Sequence, residues 1–143
     1  MLKGIPRTLG PDLLWALAAM GHGDRLAIVD ANYPAHSHST RVIPLAAVPL
    51  VDAVTDVLTL YPVDDFLEPA AFRMVPDGEP DAEFDVHRDV ERVTSAKEGR
   101  PVRFEAVERT RFYELAAGCF ATVATTDDRP YGCFVITKGV VAG

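Results

Sequence analysis

Apolar residues follow two different spacings along the chain, and each spacing predicts a different element. Four segments place apolar side chains three and four residues apart, as on one face of a helix. Six shorter apolar runs are typical of strands. The predicted helices begin at Pro11, Pro49, Glu83 and Arg109 and end near residues 20, 60, 98 and 117. The predicted strands cover residues 26–29, 41–45, 72–75, 102–107, 119–124 and 131–137.

Helices and strands alternate in this pattern, which indicates an α/β fold. We expect a single three-layer α/β/α domain over residues 1–143, with a mixed, mainly parallel sheet. The apolar run Leu26–Val29 predicts a strand that is covered on both faces. Only a short turn separates the last two predicted strands, so we expect them to pair with each other in antiparallel orientation.

Two side chains with acid–base chemistry flank the first predicted strand. His22 lies between two glycines in the expected helix-to-strand turn, and Asp30 follows the strand directly. Histidine exchanges protons near neutral pH, and the carboxyl end of a strand is a common place for ligand binding. A second interpretation is purely structural: His22 favours the end of the first helix, and Asp30 shapes the next turn.

Other candidate residues lie in a predicted loop and near the last strands. His36 and His38 invite a metal interpretation, but metal sites need three or four ligands, so a polar loop over residues 31–40 is favoured. Arg109 and Tyr113 cluster before an apolar strand, where a solvated helix face is the commoner role for arginine and a binding surface is the alternative. Tyr131 suits either stacking on a ligand or core packing. Cys119 and Cys133 are expected to be small buried side chains.

Composition excludes several classes of function. The chain has 143 residues and a net charge of −7, so no basic surface argues for nucleic acid or anionic membrane. Two cysteines do not make a disulfide framework, which favours a reduced, cytoplasmic setting. No apolar run approaches the roughly 20 residues of a membrane span. The motifs of nucleotide-binding loops and of serine hydrolases do not occur.

Blocks of sequence at both ends of the chain resemble the L-fucose mutarotase and D-ribose pyranase family. The blocks are Met1–Gly4, Pro11–Leu14, Met20–Asp24, Asp30–Ser37, Glu108–Arg109, Phe112–Glu114, Phe120–Thr125, Tyr131–Gly132 and Lys138–Val140. The resemblance extends over essentially the whole chain, is weakest over residues 63–100, and is closer to the fucose mutarotase branch.

This resemblance implies an enzyme that interconverts the anomers of a free monosaccharide without a cofactor or metal. It implies that His22 is the catalytic histidine and that Asp30, Arg109 and the segment Tyr131–Gly132–Cys133 bind the sugar. Cys133 departs from the Asn that the family usually carries, which leaves the identity of the sugar open. Tyr113 and His36 are further candidates for contact with the sugar.

The resemblance also implies ring-shaped homo-oligomers, commonly decamers, with sites near subunit boundaries. A strand of five or six residues is roughly 17–20 Å long. His22 and Asp30 therefore contact the same sugar only if they come from different subunits, or if His22 folds back. We predict a mutarotase for L-fucose or a related sugar. The alternative is a non-catalytic sugar-binding or regulatory subunit, suggested by Cys133 and by the many charges of residues 77–100.

Overall fold

The computed structural model describes residues 1–143, which form one six-stranded sheet with helices on both faces. The strands are β1 (Arg25–Val29), β2 (Val42–Leu45), β3 (Ala71–Val75), β4 (Phe104–Glu108), β5 (Ala121–Thr125) and β6 (Phe134–Thr137). The helices are α1 (Pro11–Ala19), α2 (Ala35–His38), α3 (Leu50–Val57), α4 (Asp85–Glu98) and α5 (Arg109–Ala117). The six predicted strands and four predicted helices are all present, with shifted ends.

The strands lie in the order β2-β5-β1-β6-β3-β4. β1 is parallel to β5, β2 to β5 and β3 to β4, whereas β6 is antiparallel to both β1 and β3. The mixed, mainly parallel sheet is thus confirmed. The predicted pairing of the last two strands is wrong, because β1 lies between them. Residues Leu26–Val29 have no exposed surface, so their buried backbone N–H and C=O groups need a hydrogen-bonded strand on each side.

Two apolar layers enclose the sheet. Leu26 and Ile28 face the larger core, to which α1, α3 and α4 contribute. Ala27 and Val29 face the smaller core with α5 and the start of α2. This alternation along β1 follows from the two-residue repeat of a strand, and it confirms the three-layer arrangement.

The predicted loop over residues 31–40 contains the short helix α2. Its side chains bond locally: Ser37 Oγ and His38 Nδ1 both lie 3.3 Å from the carbonyl oxygen of Pro34. Polar side chains that bond to nearby backbone are frequent in loops. The sequence of this segment is therefore typical of a loop, which explains why α2 was not predicted. None of the five helices has the length and apolar character needed to cross a membrane.

The segment after β6 fixes the turn that carries His22. Lys138 donates from Nζ to the carbonyl oxygen of Leu17 at 2.8 Å, and its own carbonyl accepts the N–H of Gly23 at 2.9 Å. A Cβ atom at Gly139 would lie 2.8 Å from the carbonyl oxygen of Val63. The chain around residue 63 therefore passes directly beside the His22 turn, and only glycine permits that approach.

Candidate active site

A histidine–aspartate pair lies at the start of β1. His22 occupies the turn between α1 and β1, as predicted, and its Nε2 lies 2.9 Å from Oδ1 of Asp64. The Asp64 side chain is fully buried, whereas 46% of the His22 side chain is exposed. An ionised carboxylate only accepts hydrogen bonds, so Nε2 carries the proton and Nδ1 is left to act toward a ligand.

Asp64 is held in place by its own loop. Its carboxylate also accepts the backbone N–H groups of Phe66 and Leu67 at 3.2 and 3.1 Å. Burial alone would raise the pKa of Asp64, but the hydrogen bonds it accepts, first of all from His22, outweigh it and hold that pKa below its ordinary value. A fixed, charged carboxylate orients an imidazole and stabilises its protonated form. The pair can therefore exchange protons with a ligand.

Asp30 organises the opposite end of β1. Its Oδ1 accepts the N–H groups of Asn32 and Tyr33 at 3.0 and 3.1 Å. Its Oδ2 accepts the N–H of Gly132 at 3.1 Å and the thiol of Cys133 at 3.6 Å. Burial raises the pKa of the Asp30 carboxyl, and these hydrogen bonds oppose that effect. The carboxylate thereby joins the loop after β1 to the segment that enters β6.

A cavity of about 230 Å³ opens beside Asp30. Aromatic rings, one carboxylate and small apolar groups surround it, which is the mixture of shape and polarity that small-molecule sites use. Its lining residues are Asp30, Asn32, Tyr33, Pro34, Met74, Tyr113, Pro130, Tyr131 and Cys133. The volume is below the range typical of drug-sized ligands, so the cavity suits a small ligand.

The structure brings together most of the predicted binding residues. The cavity is lined by Asp30, Tyr113, Tyr131 and Cys133. Gly132 does not line it but donates its N–H to Asp30, which does. A Cβ at Gly132 would lie 3.3 Å from the carbonyl oxygen of Arg129, a tight contact that glycine avoids.

Two predicted residues lie outside the cavity lining. Arg109 begins α5, where its guanidinium is 6.0 Å from the centre of the Tyr113 ring and 3.7 Å from the Asp77 carboxylate. His36 is exposed on α2, and the ring of His38 instead packs 4.6 Å from that of Tyr113. The roles of Arg109 and His36 stay predictions. The structure contains no group of three or more His, Cys, Asp or Glu side chains that is suited to a metal ion.

Sequence reasoning missed Asp64, Tyr33 and Met74. Asp64 falls in residues 63–100, where the family resemblance is weakest, and nothing in the local sequence distinguishes it from its neighbour Asp65. Tyr33 lies three residues after Asp30, and this spacing is the feature of the sequence that could have identified it as a cavity residue. Its hydroxyl is buried and has no hydrogen-bond partner in the protein.

The His22–Asp64 pair and the cavity lie at opposite ends of β1. The five residues of this strand span roughly 17 Å at the usual rise per residue. One small ligand in the cavity therefore does not reach His22 of the same chain. Within one subunit the acid–base pair and the cavity are therefore two separate regions, which we call the half-sites.

The sequence matches a known family over almost its whole length. Residues 3–141 match the RbsD / FucU transport protein family. The chain belongs to this family. This confirms the resemblance found at both ends of the sequence. Among RbsD / FucU relatives, the human protein named fucose mutarotase is 39% identical, over 99% of this chain and 95% of its own. An L-fucose mutarotase from Actinobacillus pleuropneumoniae is 35% identical, over 98% of this chain and 97% of its own.

Solved structures agree with the RbsD / FucU assignment. The crystal structure of fucose mutarotase in complex with L-fucose from Streptococcus pneumoniae superposes with a TM-score of 0.90 at 30% identity, covering 99% of this chain and all of the other. FucU from Bifidobacterium longum superposes with a TM-score of 0.91 at 28% identity, over 98% of this chain and all of the other. The α/β fold is therefore that of the family.

Proposed function

We propose that this RbsD / FucU family member is a monosaccharide mutarotase, an isomerase that interconverts the α and β anomers of L-fucose or a closely related sugar. The observation that carries the proposal is the pair formed by the half-exposed His22 imidazole and the buried Asp64 carboxylate. The names of the human and bacterial relatives support the same activity.

Mutarotation needs only proton transfers at two oxygens of the sugar. The imidazolium form of His22 donates its Nδ1 proton to the ring oxygen while the Asp30 carboxylate accepts the proton of the anomeric hydroxyl; the bond between the anomeric carbon and the ring oxygen breaks, and an open-chain aldehyde forms. Reversal of these steps on the other face of the aldehyde gives the second anomer. A positioned acid or base contributes typically 10²–10⁴-fold to such a step. Asp64 orients the His22 ring for this transfer through its hydrogen bond to Nε2.

The cavity beside Asp30 supplies sugar binding in this proposal. Asp30 accepts sugar hydroxyls and is also placed to take part in proton transfer, while Tyr113 and Tyr131 pack against the ring. Cys133 gives this wall a thiol with weak hydrogen-bonding capacity. Arg109 and His36 act at the edge, where Arg109 reaches toward Tyr113.

We further propose that each complete site forms between two subunits of a ring-shaped homo-oligomer, with a decamer as the expected size. The separation of the half-sites along β1 supports this arrangement. Phe66, whose ring lies 5.2 Å from that of His22, is 71% exposed and offers an apolar surface to a neighbouring copy. Both cysteines are unpaired, in keeping with a cytoplasmic location.

Saturation-transfer NMR on the two anomers of L-fucose tests the activity. The protein is expected to accelerate their exchange well above the rate in buffer. The substitution His22→Ala should lower that acceleration by about 100-fold or more, since it removes the proton donor. Asp64→Asn keeps the shape but not the charge of the partner, so it should retain an intermediate rate. Exchange no faster than in buffer would contradict the proposal.

The alternative function is a sugar-binding subunit without catalysis, and the Cys133 thiol favours it. This thiol bonds to Asp30, and it is a weaker hydrogen-bond partner for a sugar than a side-chain amide at the same position would be. Calorimetry separates the two functions. Binding of L-fucose without accelerated exchange would support the alternative. The same NMR measurement with a panel of other monosaccharides identifies the preferred sugar.

A further inference from the structure

Tyr131 adopts an unusual backbone conformation at the cavity wall. Its φ is +58°, in the left-handed region that residues other than glycine rarely enter. The following residue, Gly132, donates its N–H to Asp30, and Tyr131 itself lines the cavity. Such a conformation persists only where the surrounding structure determines it strongly. Some neighbouring group must therefore hold Tyr131 in place.

The group that holds the backbone of Tyr131 is a buried histidine from another element. His87 lies in the first turn of α4 and is 2% exposed. Its Nε2 is 2.9 Å from the carbonyl oxygen of Tyr131. Its Nδ1 accepts the N–H of Phe84 at 3.2 Å and faces Nη1 of Arg73 at 2.9 Å. Since Nδ1 accepts, the proton is on Nε2, which donates to Tyr131.

The same helix start also holds the side chain of Tyr131. The ring of Phe84 stacks on the ring of Tyr131, with centres 5.2 Å apart and planes 16° from parallel. Phe84 directly precedes α4 and is itself fixed by its N–H bond to His87. The residues at the beginning of α4 thus contact both the backbone and the ring of Tyr131 and hold them in place.

We propose that His87, assisted by Phe84, is a positioning residue of the sugar site: it fixes the Tyr131–Gly132–Cys133 wall in the conformation that binds the monosaccharide. This inference rests on the proposed mutarotase function. His87 acts from behind the wall, because it does not line the cavity. Its loss should therefore weaken sugar binding rather than the proton transfer at His22.

Two substitutions separate the role of His87 in positioning from a role in packing alone. In His87→Gln the side-chain amide nitrogen takes the place of Nε2, so the donor to Tyr131 is kept. In His87→Asn the amide oxygen takes the place of Nδ1, so the bonds to Phe84 and Arg73 are kept and the donor to Tyr131 is lost. We expect KM for L-fucose to rise about tenfold in His87→Asn, the equivalent of one hydrogen bond. His87→Gln should stay within about threefold of the unsubstituted protein, and kcat should change little in both.

Hydrogen–deuterium exchange provides a readout that does not depend on catalysis. Peptides covering residues 129–134 should exchange faster in His87→Asn than in His87→Gln, because the Gly132 N–H loses its fixed position opposite Asp30. If the unsubstituted protein does not accelerate the interconversion of anomers, the mutarotase function fails. The hydrogen–deuterium exchange of residues 129–134 and the calorimetric affinity for L-fucose still decide the role of His87 in that case.

Three outcomes would overturn the proposal: equal KM values in the two variants, a loss confined to kcat, or unchanged exchange of residues 129–134 in His87→Asn. If His87→Asn does not fold, Phe84→Leu tests the second contact of the same helix start with Tyr131, the ring stacking, since Phe84 is only half-buried. It should raise KM about threefold with kcat unchanged, and an unchanged KM would equally reject the proposal.

Discussion

At the scale of single residues, two buried tyrosine hydroxyls have opposite hydrogen-bonding states. The Tyr61 hydroxyl donates to the carbonyl oxygen of Ile136 at 2.8 Å. The hydroxyl of Tyr33, a residue that lines the cavity, has no partner in the protein. A buried polar group without a partner costs about 1–3 kcal/mol, whereas a satisfied one contributes about 1 kcal/mol to stability. The two hydroxyls should therefore affect folding in opposite directions.

The substitution Tyr33→Phe is expected to leave the free energy of unfolding unchanged or to raise it by up to about 1 kcal/mol, because it removes an unsatisfied hydroxyl. The matched substitution Tyr61→Phe should lower it by about 1 kcal/mol or more, because the donor to Ile136 is lost. Urea denaturation of both variants measures the difference. A larger loss for Tyr33→Phe than for Tyr61→Phe would show that the Tyr33 hydroxyl has a partner.

The residues of the two half-sites were predictable to different degrees. The glycines around His22 and the position of Asp30 after an apolar run are local features, and the structure places both residues where the sequence predicts. Asp64 could not be predicted, because its contact with His22 arises only when the chain at Val63 passes beside Gly139. His87 was equally hidden, since its partner Tyr131 is 44 residues away in sequence.

At the scale of elements, the start of α3 depends on a side chain from a distant loop. Leu50, the first residue of α3, donates its N–H to Oδ2 of Asp127 at 2.9 Å. Arg129 also donates to Asp127, from Nη2 at 3.0 Å. Burial acts to raise the pKa of Asp127, but the hydrogen bonds, first of all from Arg129, outweigh it and bring the pKa to about 2. The carboxylate thus links α3 to the loop after β5.

We expect acid to weaken the fold through Asp127. Its pKa is lower in the folded chain than its ordinary 3.8, so its contribution is complete above that value and is lost as the pH falls toward 2. The ionised Asp127 contributes about 2 kcal/mol to the free energy of unfolding. Asp127→Asn should remove most of it at pH 7 and flatten the loss of stability between pH 4 and about 2. Denaturant titrations of both proteins at pH values across this range measure the free energy of unfolding.

The exposed neighbour Asp128 provides the control, since Asp128→Asn should leave the pH dependence unchanged. An equal acid response in the unsubstituted protein and in Asp127→Asn would contradict the assignment of this effect to Asp127.

Elements were predictable from periodicity, but their neighbours in the sheet were not. The apolar runs identify all six strands, because each run is short and bounded by turn residues. The sequence of a short turn, however, does not reveal that residues 126–133 cross the end of β1. That crossing is set by the N–H of Ala31, which donates to Asp127, and by the bond from Gly132 to Asp30.

At the scale of the whole molecule, the two half-sites at opposite ends of β1 require a partner copy in the proposed function. His22→Ala disables one half-site, and Tyr131→Gly disables the other while suiting the left-handed backbone. Each variant alone should be nearly inactive at sugar concentrations far below KM, because one lacks the proton donor and the other lacks the ring that packs against the sugar. Hybrids assembled from both chains should recover about a quarter of the wild-type rate, because one in four interfaces joins two intact halves.

Anomer exchange by NMR measures this recovery after the two chains are denatured together and refolded. Separately folded variants, mixed without exchange of subunits, serve as the control and should stay inactive. No recovery in hybrids whose size by light scattering matches the unsubstituted oligomer would reject a site shared between subunits. A monomer by light scattering would reject it as well.

The position of β6 also affects how the protein is made. β6 is the last of the six strands to be synthesised, yet it fills the gap between β1 and β3. Without β6, the sheet divides into one fragment of β2, β5 and β1 and another of β3 and β4, with no strand pairing between them. Each fragment then has an unpaired strand edge where β6 belongs, and such edges invite aggregation. A folding chain in which β6 has not yet docked is therefore expected to be the species most prone to aggregation.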